Sequence, residues 1–246
     1  MSVRCEDMMK RMMAIVAVAG LLMGALQTQA ADTTAQAKLK ARLAGAQAAL
    51  IEIMATPDQS IPSGILAGAE CVAVVPHYKK GAFILGGQYG QGVATCRTAH
   101  GWSAPVFISL EGGSFGWQIG GQSTDLVLVA MNHDGLQQML KNKFKIGGDA
   151  AASAGPVGRN TQAGTDWKLN AEFLTWSRSK GLFAGIDLDG TVMAQNQDDT
   201  RAFYGADIPF GTVLAGETAC PEGGRAFVQT VAKYFVAAKA KANAKR

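Results

Sequence analysis

The sequence lacks an apolar run of the ~20 residues that a membrane-crossing helix needs. The stretch MMAIVAVAGLLMGAL, Met12 to Leu26, stops at 15 residues. It also lacks a Cys-x-x-Cys pair, and His77, His100 and His133 stand far apart. Together these absences exclude a zinc site on spacing, and no cofactor is expected. Strong charge is missing too. A net charge of +4 over 246 residues is far from a nucleic-acid-binding balance, although it tolerates an anionic surface. No internal repeat occurs, and no linker-like composition interrupts Glu70 to Gly216. Alternation of strand and helix in βαβ fashion is absent as well, so a parallel doubly wound sheet is excluded.

The N-terminus is organised as an export signal. Lys10 and Arg11 precede the short apolar run, and QTQA follows, ending in the small residue Ala30. Charged start, apolar middle and small residue at the cut make a secretory signal over 1–30. An uncleaved anchor is the alternative. No Cys follows the run, which argues against a lipoprotein, and the Lys-Arg pair argues against a twin-arginine route. Without residues 1–30, which carry a net +1, the mature chain (31–246) has a net charge of +3. The expected location is exported, periplasmic or extracellular, and peripheral to a membrane. Cys5 leaves with the signal, while Cys71, Cys96 and Cys220 remain. In an oxidising compartment an odd count suggests one pair and one spare. Cys71 and Cys96 fall in neighbouring predicted strands and are the candidate disulfide; three separate thiols is the alternative.

Helical spacing marks residues 34–56, where Leu39, Leu43, Ala46, Leu50 and Ile53 share one face and Pro57 stops the run. Lys38, Lys40 and Arg42 load its first half with positive charge. A short helical piece is expected near Leu66. From Glu70 the texture is that of strands: CVAVVP, AFILGGQ and GVATCR read as a three-stranded meander with turns at HYKKG and around Tyr89 to Gln91. Strand signals continue through WSAPVFISL, SFGWQIGG and DLVLVAMN. A helix from about Gly135 to Asn142 follows, and then four more strands, the last being TVMAQ. Helices are predicted over Asp198–Tyr204 and from Gly224 onward, the latter with a stripe of Phe227, Val231, Tyr234 and Ala238. The fold class is α+β: a curved antiparallel sheet, barrel-like or sandwich-like, packed with an N-terminal helix and C-terminal helices.

GGSFGWQIGGQ, residues 112–122, contains Gly-x-Ser-x-Gly, the pattern of a serine hydrolase elbow. An elbow needs a strand, a sharp turn at the serine and then a helix. After Ser114, large Phe115, Trp117 and Ile119 alternate with small or polar residues, which is a strand period. Gly116, Gly120 and Gly121 would each cost a helix about 1 kcal/mol. Asp125 and His133 follow too closely to complete a triad from separate loops. Ser114 therefore reads as structural and no catalytic residue is assigned. The glycines permit bending and the close approach of another layer. GQYGQG is not a nucleotide fingerprint, because no βαβ unit surrounds it. DLDG, Asp187 to Gly190, reads as a β-turn rather than a calcium loop, since it lacks the closing Glu. Asp198 and Asp199 read as first-turn carboxylates of a helix.

The segments AECVAVVPHYKKGAFILGGQYGQGVATCR, GWSAPVFISLEGGSFGWQIGGQSTDLVLVAMN, WSRSKGLFAGIDLDG and FYG, in this order and spacing, resemble the SYLF family, also called the Ysc-eighty-four actin-binding domain family. The resemblance covers about Ile61 to Val213. It implies a single non-enzymatic lipid-binding domain over 31–246, since eukaryotic members bind phosphoinositides and some bind actin. It also implies membrane contact through a basic amphipathic helix at the start of the domain, which here is the helix with Lys38, Lys40 and Arg42. The chain departs from the family in carrying an export signal, which puts cytosolic phosphoinositides and actin out of reach. It also has Trp176 where tyrosine is commoner.

The expected function is binding of anionic phospholipid or a membrane surface in the bacterial cell envelope. The contact residues are Lys38, Lys40, Arg42, Lys79 and Lys80, the last two in a predicted turn. Each Lys or Arg near an anionic surface contributes about 1 kcal/mol. The alternatives are an envelope scaffold with a protein partner of unknown identity and, remotely, a secreted hydrolase using Ser114.

Overall fold

A computed structural model of the chain describes residues 34–56, 60–155, 171–179, 182–183 and 188–243. The export signal read over 1–30 lies outside the described residues, as does Asp187. The chain divides into two compact units, Met1–Leu39 and Lys40–Arg246. Of the first, residues 34–39 are described; they are helical, with Lys38 exposed and Leu39 buried.

The larger unit is α+β and is dominated by two very long strands. β1 (Cys71–Thr98) has 28 residues and β3 (Val106–Ala130) has 25, against about 5–6 for an ordinary strand. They pair antiparallel from Cys71↔Ala130 to Ala94↔Val106. The other strands are short: β2 (Gly101–Trp102), β4 (Lys143–Lys145), β5 (Ala152–Ala154), β6 (Phe173–Ser179), β7 (Leu182–Phe183) and β8 (Val192–Gln195). β6 pairs with the end of β3 and β8 with its beginning. β4 extends β8, and β7 extends β6. β5 lies parallel to β6, so the sheet is mixed where an antiparallel one was expected. The helices are α1 (34–55), α2 (Ser63–Gly68), α3 (His133–Leu140), α4 (Gln197–Tyr204), α5 (Phe210–Leu214) and α6 (Glu222–Asn243).

The expected meander is corrected to a single strand. HYKKG and the stretch around Tyr89 were expected to turn, but their residues have partners on β3 and stay extended, as Lys79↔Ser123 and Tyr89↔Glu111 show. The glycines that suggested turns face glycines across the ribbon, as at Gly81↔Gly121 and Gly87↔Gly113. WSAPVFISL, SFGWQIGG and DLVLVAMN likewise merge, from Val106 onward, into β3.

A straight strand from Cys71 to Cys96 would span roughly 80 Å at ~3.3 Å per residue. The Cα atoms of these two residues are instead 4.0 Å apart and their sulfurs are bonded. The ribbon has therefore doubled back until β1 meets itself. Register shifts between Val75 and Tyr78 and between Ala82 and Ile84 supply local bends. Where the legs meet there is no room for side chains. A Cβ on Gly92 would lie 2.4 Å from the Val74 carbonyl oxygen, and one on Gly90 would lie 2.6 Å from Val75 Cγ1. The Arg97 N–H donates to Glu70 O at 2.7 Å, joining the two ends beside the disulfide.

The doubled ribbon wraps a core. Cys71, Ala73, Val75 and Tyr78 from one leg meet Ala94, Cys96, Val106, Ile108 and Leu110 from the other, along with Leu126, Leu128, Phe144, Phe173 and Met193. The intervening Val72, Val74, Val93, Phe107, Val127 and Val129 are buried as well, so these strand segments are covered on both faces. Helices supply the second cover. Phe203 of α4 meets Phe107 edge-on at 5.3 Å, and Phe235 of α6 meets Trp102 at 5.0 Å. Gln47 of α1 donates to Thr230 of α6 at 3.0 Å. On α6 the buried stripe is Phe227, Val231, Phe235 and Ala238; Phe235 takes the place expected for Tyr234, because steps of four from 227 run through 231 to 235.

Two outcomes follow from the closure. Replacing Cys71 and Cys96 with alanine should lower the unfolding free energy by about 2–4 kcal/mol, the usual contribution of a bridge over a loop of this size; denaturant titration of oxidised parent and variant measures it. Gly92→Ala should destabilise by about 3 kcal/mol or more, because backbone as well as side chain must move. Gly87→Ala, where a Cβ meets nothing within 4 Å, should change stability by only about 0.5 kcal/mol. Equal melting temperatures for the two glycine variants would contradict the closure.

Candidate ligand-binding cleft

Where the legs of the ribbon meet beneath α1 there is a cleft of about 420 Å³. Its walls come from three short pieces of chain. Helix α1 gives Ala41, Arg42 and Gly45; the outgoing leg of β1 gives Pro76, His77 and Lys79; the returning leg gives Tyr89, Gly90 and Gln91. A Cβ on Gly45 would lie 3.5 Å from Pro76, so the helix packs closely over the proline.

His77 occupies the bulge between Val75 and Tyr78. Its φ of 53° is the one positive value among the described non-glycine residues, a conformation costing roughly 1–2 kcal/mol. Asp125 holds it there: the His77 N–H donates to Asp125 Oδ1 at 2.9 Å, and the ring Nδ1 lies 3.8 Å from the same oxygen. The bend directs the imidazole outward, where it is 79 % exposed.

Arg42 is built into the wall. Its Nη1 pairs with Asp199 of α4, and its Nη2 donates to Gln91 Oε1 at 2.7 Å. Its guanidinium lies 5.5 Å from the centre of the Phe107 ring, and 13 % of its side chain is exposed. Asp199 is itself fixed as a first-turn residue of α4. Its N–H donates to Asn196 Oδ1 at 3.0 Å, and Asn196 Nδ2 donates back to Asp199 Oδ2 at 2.7 Å. Arg42 thus ties α1 to β1 and α4. Lys79 is exposed, and Tyr89 opposite it is 46 % exposed. None of the lining residues is acidic.

The five expected contact residues are distributed unevenly. Arg42 and Lys79 share the cleft, but Arg42 is a structural tie rather than a free surface cation. Lys40 is exposed and lies beside Gly223 at the start of α6. Lys80 is half-buried and pairs with Gln122 across the ribbon. Lys38 is exposed in the smaller unit. The sequence reading missed His77, Tyr89 and Gln91. Their segments carried turn-like residues, and nothing in the spacing indicated that the two would meet.

The catalytic alternative finds no geometry. Ser114 pairs with Gly86 in the middle of β3, and the strand runs on to Ala130 with no helix after the serine. Burial pushes the Cys220 thiol up, opposed by the charge of Arg225; a thiol held protonated is a poor nucleophile. Burial likewise pushes up the phenol of Tyr204, which donates to Pro105 O at 2.8 Å. Among the described residues no three His, Cys, Asp or Glu side chains gather as a metal site, and no helix is long and apolar enough to cross a membrane. The cleft offers an exposed lysine, an imidazole and an aromatic ring around a glycine-lined floor, which suits an anion with an apolar neighbour.

A family model described as Ysc84, Las17-binding protein actin regulator, matches residues 111–234. SH3 domain-containing YSC84-like protein 1 of Homo sapiens is 33% identical over 168 residues, covering 67% of this chain and 48% of that protein. An SH3 domain-containing protein of Schizosaccharomyces pombe is also 33% identical over 168 residues, covering 67% and 39% respectively. LAS seventeen-binding protein 3 of Saccharomyces cerevisiae is 32% identical, covering 67% and 36%. The chain thus spans half or less of the length of these relatives, one of which is named for binding. With the family match running from within β3 into α6 over half of the chain, and a relative 33% identical over 67% of it, the chain belongs to the Ysc84, or SYLF, family.

Proposed function

We propose that this chain is a non-enzymatic binding domain whose ligand is an anionic lipid surface. The observation that carries the reading is the cleft under α1, lined without a single acidic residue and flanked by the exposed Lys79 and Tyr89. Lys40 adds charge on α1 and Lys80 at the next position of the ribbon, and Lys38 is an exposed cation of the smaller unit. An aromatic ring beside lysines is the pairing favoured at the boundary of a bilayer, where the ring sits at headgroup level and the ammonium meets phosphate. Arg42 serves this surface indirectly by holding α1 against β1.

The same reading places the protein in the bacterial cell envelope. The order of residues in 1–30 supports export, and the Cys71–Cys96 bridge suits an oxidising compartment. Binding to Las17 or actin belongs to the relatives' names; in an envelope protein those partners would be absent.

The test is flotation with phosphatidylglycerol-containing vesicles against neutral phosphatidylcholine vesicles. Binding should be confined to the anionic vesicles and should weaken at 1 M salt, where charge attraction reaches only about 3 Å. Reversing Lys38, Lys40, Lys79 and Lys80 to glutamate should reduce binding at least about a hundredfold, at roughly 1 kcal/mol per lysine, and leave the melting temperature unchanged. Arg42→Gln should act oppositely, lowering unfolding free energy by about 2 kcal/mol because Asp199 loses its partner. A quadruple variant that floats as well as the parent would sink the lysine surface.

A further inference from the structure

His77 stands at the cleft in a conformation that its backbone role does not require of a histidine. At φ 53° it occupies the left-handed region, which a residue other than glycine holds only when its surroundings impose it. Asp125 imposes it through the main chain, accepting from the His77 N–H at 2.9 Å. Glycine would offer the same N–H with less strain. What the strained bulge adds is the imidazole, 79 % exposed, on a wall shared with Lys79, Tyr89 and Gln91. Strained residues of this kind gather at ligand clamps.

Hydrogen-bond donors outnumber free charges in this space. A guanidinium only donates, so Gln91, whose Oε1 accepts from Arg42 Nη2 at 2.7 Å, keeps its two amide N–H groups for another partner. The His77 ring, the Lys79 ammonium and the Tyr89 hydroxyl are donors on the same walls. Charge is scarcer. Arg42 is matched by Asp199, and the His77 ring lies 3.8 Å from Asp125. Lys79 has no ion-pair partner among the described residues. Exposed Glu111 stands opposite Tyr89 on β3. One uncompensated cation among neutral donors, with carboxylates at the margins, fits a monoanion. A dianion would bring a second charge with no partner and with carboxylates near it.

Resting on the lipid reading above, we propose that the cleft captures a single phosphodiester headgroup in preference to a phosphomonoester, with Lys79 as its countercharge and His77 and Gln91 as donors to its oxygens. A phosphodiester carries one negative charge, whereas a monoester carries about −1.5 to −2 near neutral pH. The space agrees with this occupant. A volume of about 420 Å³ holds about fourteen groups the size of water at ~30 Å³ each. That is enough for a phosphate with the polar alcohol esterified to it, and leaves the acyl chains outside. The same chemistry occurs in a membrane phospholipid and in a soluble glycerophosphodiester. The exposed lysines around the cleft favour the lipid.

The experiment uses the full mature chain and two sets of vesicles, phosphatidylglycerol in phosphatidylcholine and phosphatidic acid in phosphatidylcholine, the second diluted to the same surface potential. The parent should bind the phosphatidylglycerol vesicles about tenfold more tightly, the effect expected of one hydrogen bond to a charged group, and soluble glycerophosphoglycerol should compete it off. His77→Gly should lose that advantage at a melting temperature no lower than the parent's, because glycine suits the bulge and keeps the N–H that Asp125 holds. An advantage that survives His77→Gly, or a melting temperature that this change lowers, would overturn the assignment of the ring to the ligand. Equal binding to the two lipids, abolished by the lysine reversals, would overturn capture in the cleft and leave the lipid reading standing. Calorimetric binding of glycerophosphoglycerol without flotation would uphold the cleft and overturn the lipid reading. Binding to neither vesicles nor the soluble diester would overturn both.

Discussion

At Gly92 the carbonyl oxygen of Val74 sits 2.4 Å from the point a Cβ would occupy, and at Gly90 the side chains of Val75 and Tyr78 crowd in the same way. This is backbone packed on backbone within one strand, and it sets the rest of the structure. Because β1 meets itself here, the core forms inside the doubled ribbon rather than between two separate sheets. Residues 76–79 and 89–91, eleven or so positions apart in sequence, become facing walls of one cleft. The disulfide, Arg97's bond to Glu70 and the packing of α1 over Pro76 all secure a junction that the two glycines make sterically possible.

The helices were legible because they carry a period. Leu43, Ala46, Leu50 and Ile53 are all buried, as their spacing implied, and α4 begins with carboxylates as a helix dipole favours. The sheet was legible as strand but not as topology. Glycine and Lys-Lys at positions 79–81 are ambiguous signals: they favour a turn in an ordinary hairpin, yet an extended chain tolerates them when an equally long partner supplies hydrogen bonds at each step. Nothing local distinguishes the two, because the partner lies about forty residues away, as Lys80↔Gln122 shows. The bridge between Cys71 and Cys96 could be anticipated as a pairing, but its geometry could not. It joins the two ends of one strand, where a meander would have made them neighbours. The cleft was legible only in part for the same reason. Lys79 advertised itself by charge, whereas His77, Tyr89 and Gln91 acquire their role from the doubling back.

Charge alone also misassigned Arg42. In sequence it stands with Lys38 and Lys40 as one of three cations on a helix. In the fold it faces Asp199, Gln91 and the Phe107 ring. The difference is chemical as well as positional. A guanidinium can pair with a carboxylate, donate to an amide oxygen and lie over an aromatic face at once, because its donors are fixed in a plane and it is weakly hydrated. A lysine at the same position would hold one of these partners and leave the others unsatisfied. The exposed lysines are suited to the opposite task, since a hydrated point charge on a flexible stem can follow a fluid surface without ordering it.

These assignments separate the parts of the molecule that hold it together from the parts available for contact. The glycine crossing, the bridge and the Arg42 tie all lie at the root of the ribbon or on the core side of α1. The exposed Lys40 and Lys79 lie apart from these ties, where a change of charge leaves the closure and the wrapped core intact. A partner of different chemistry could therefore be met by changing such exposed residues alone, while the closure stayed fixed. The relatives are longer than this chain, the 168 aligned residues making up 48% of one and 36% of another. A closure that fixes geometry, with exposed side chains free of that duty, is an arrangement that lets one fold serve in proteins of such different construction.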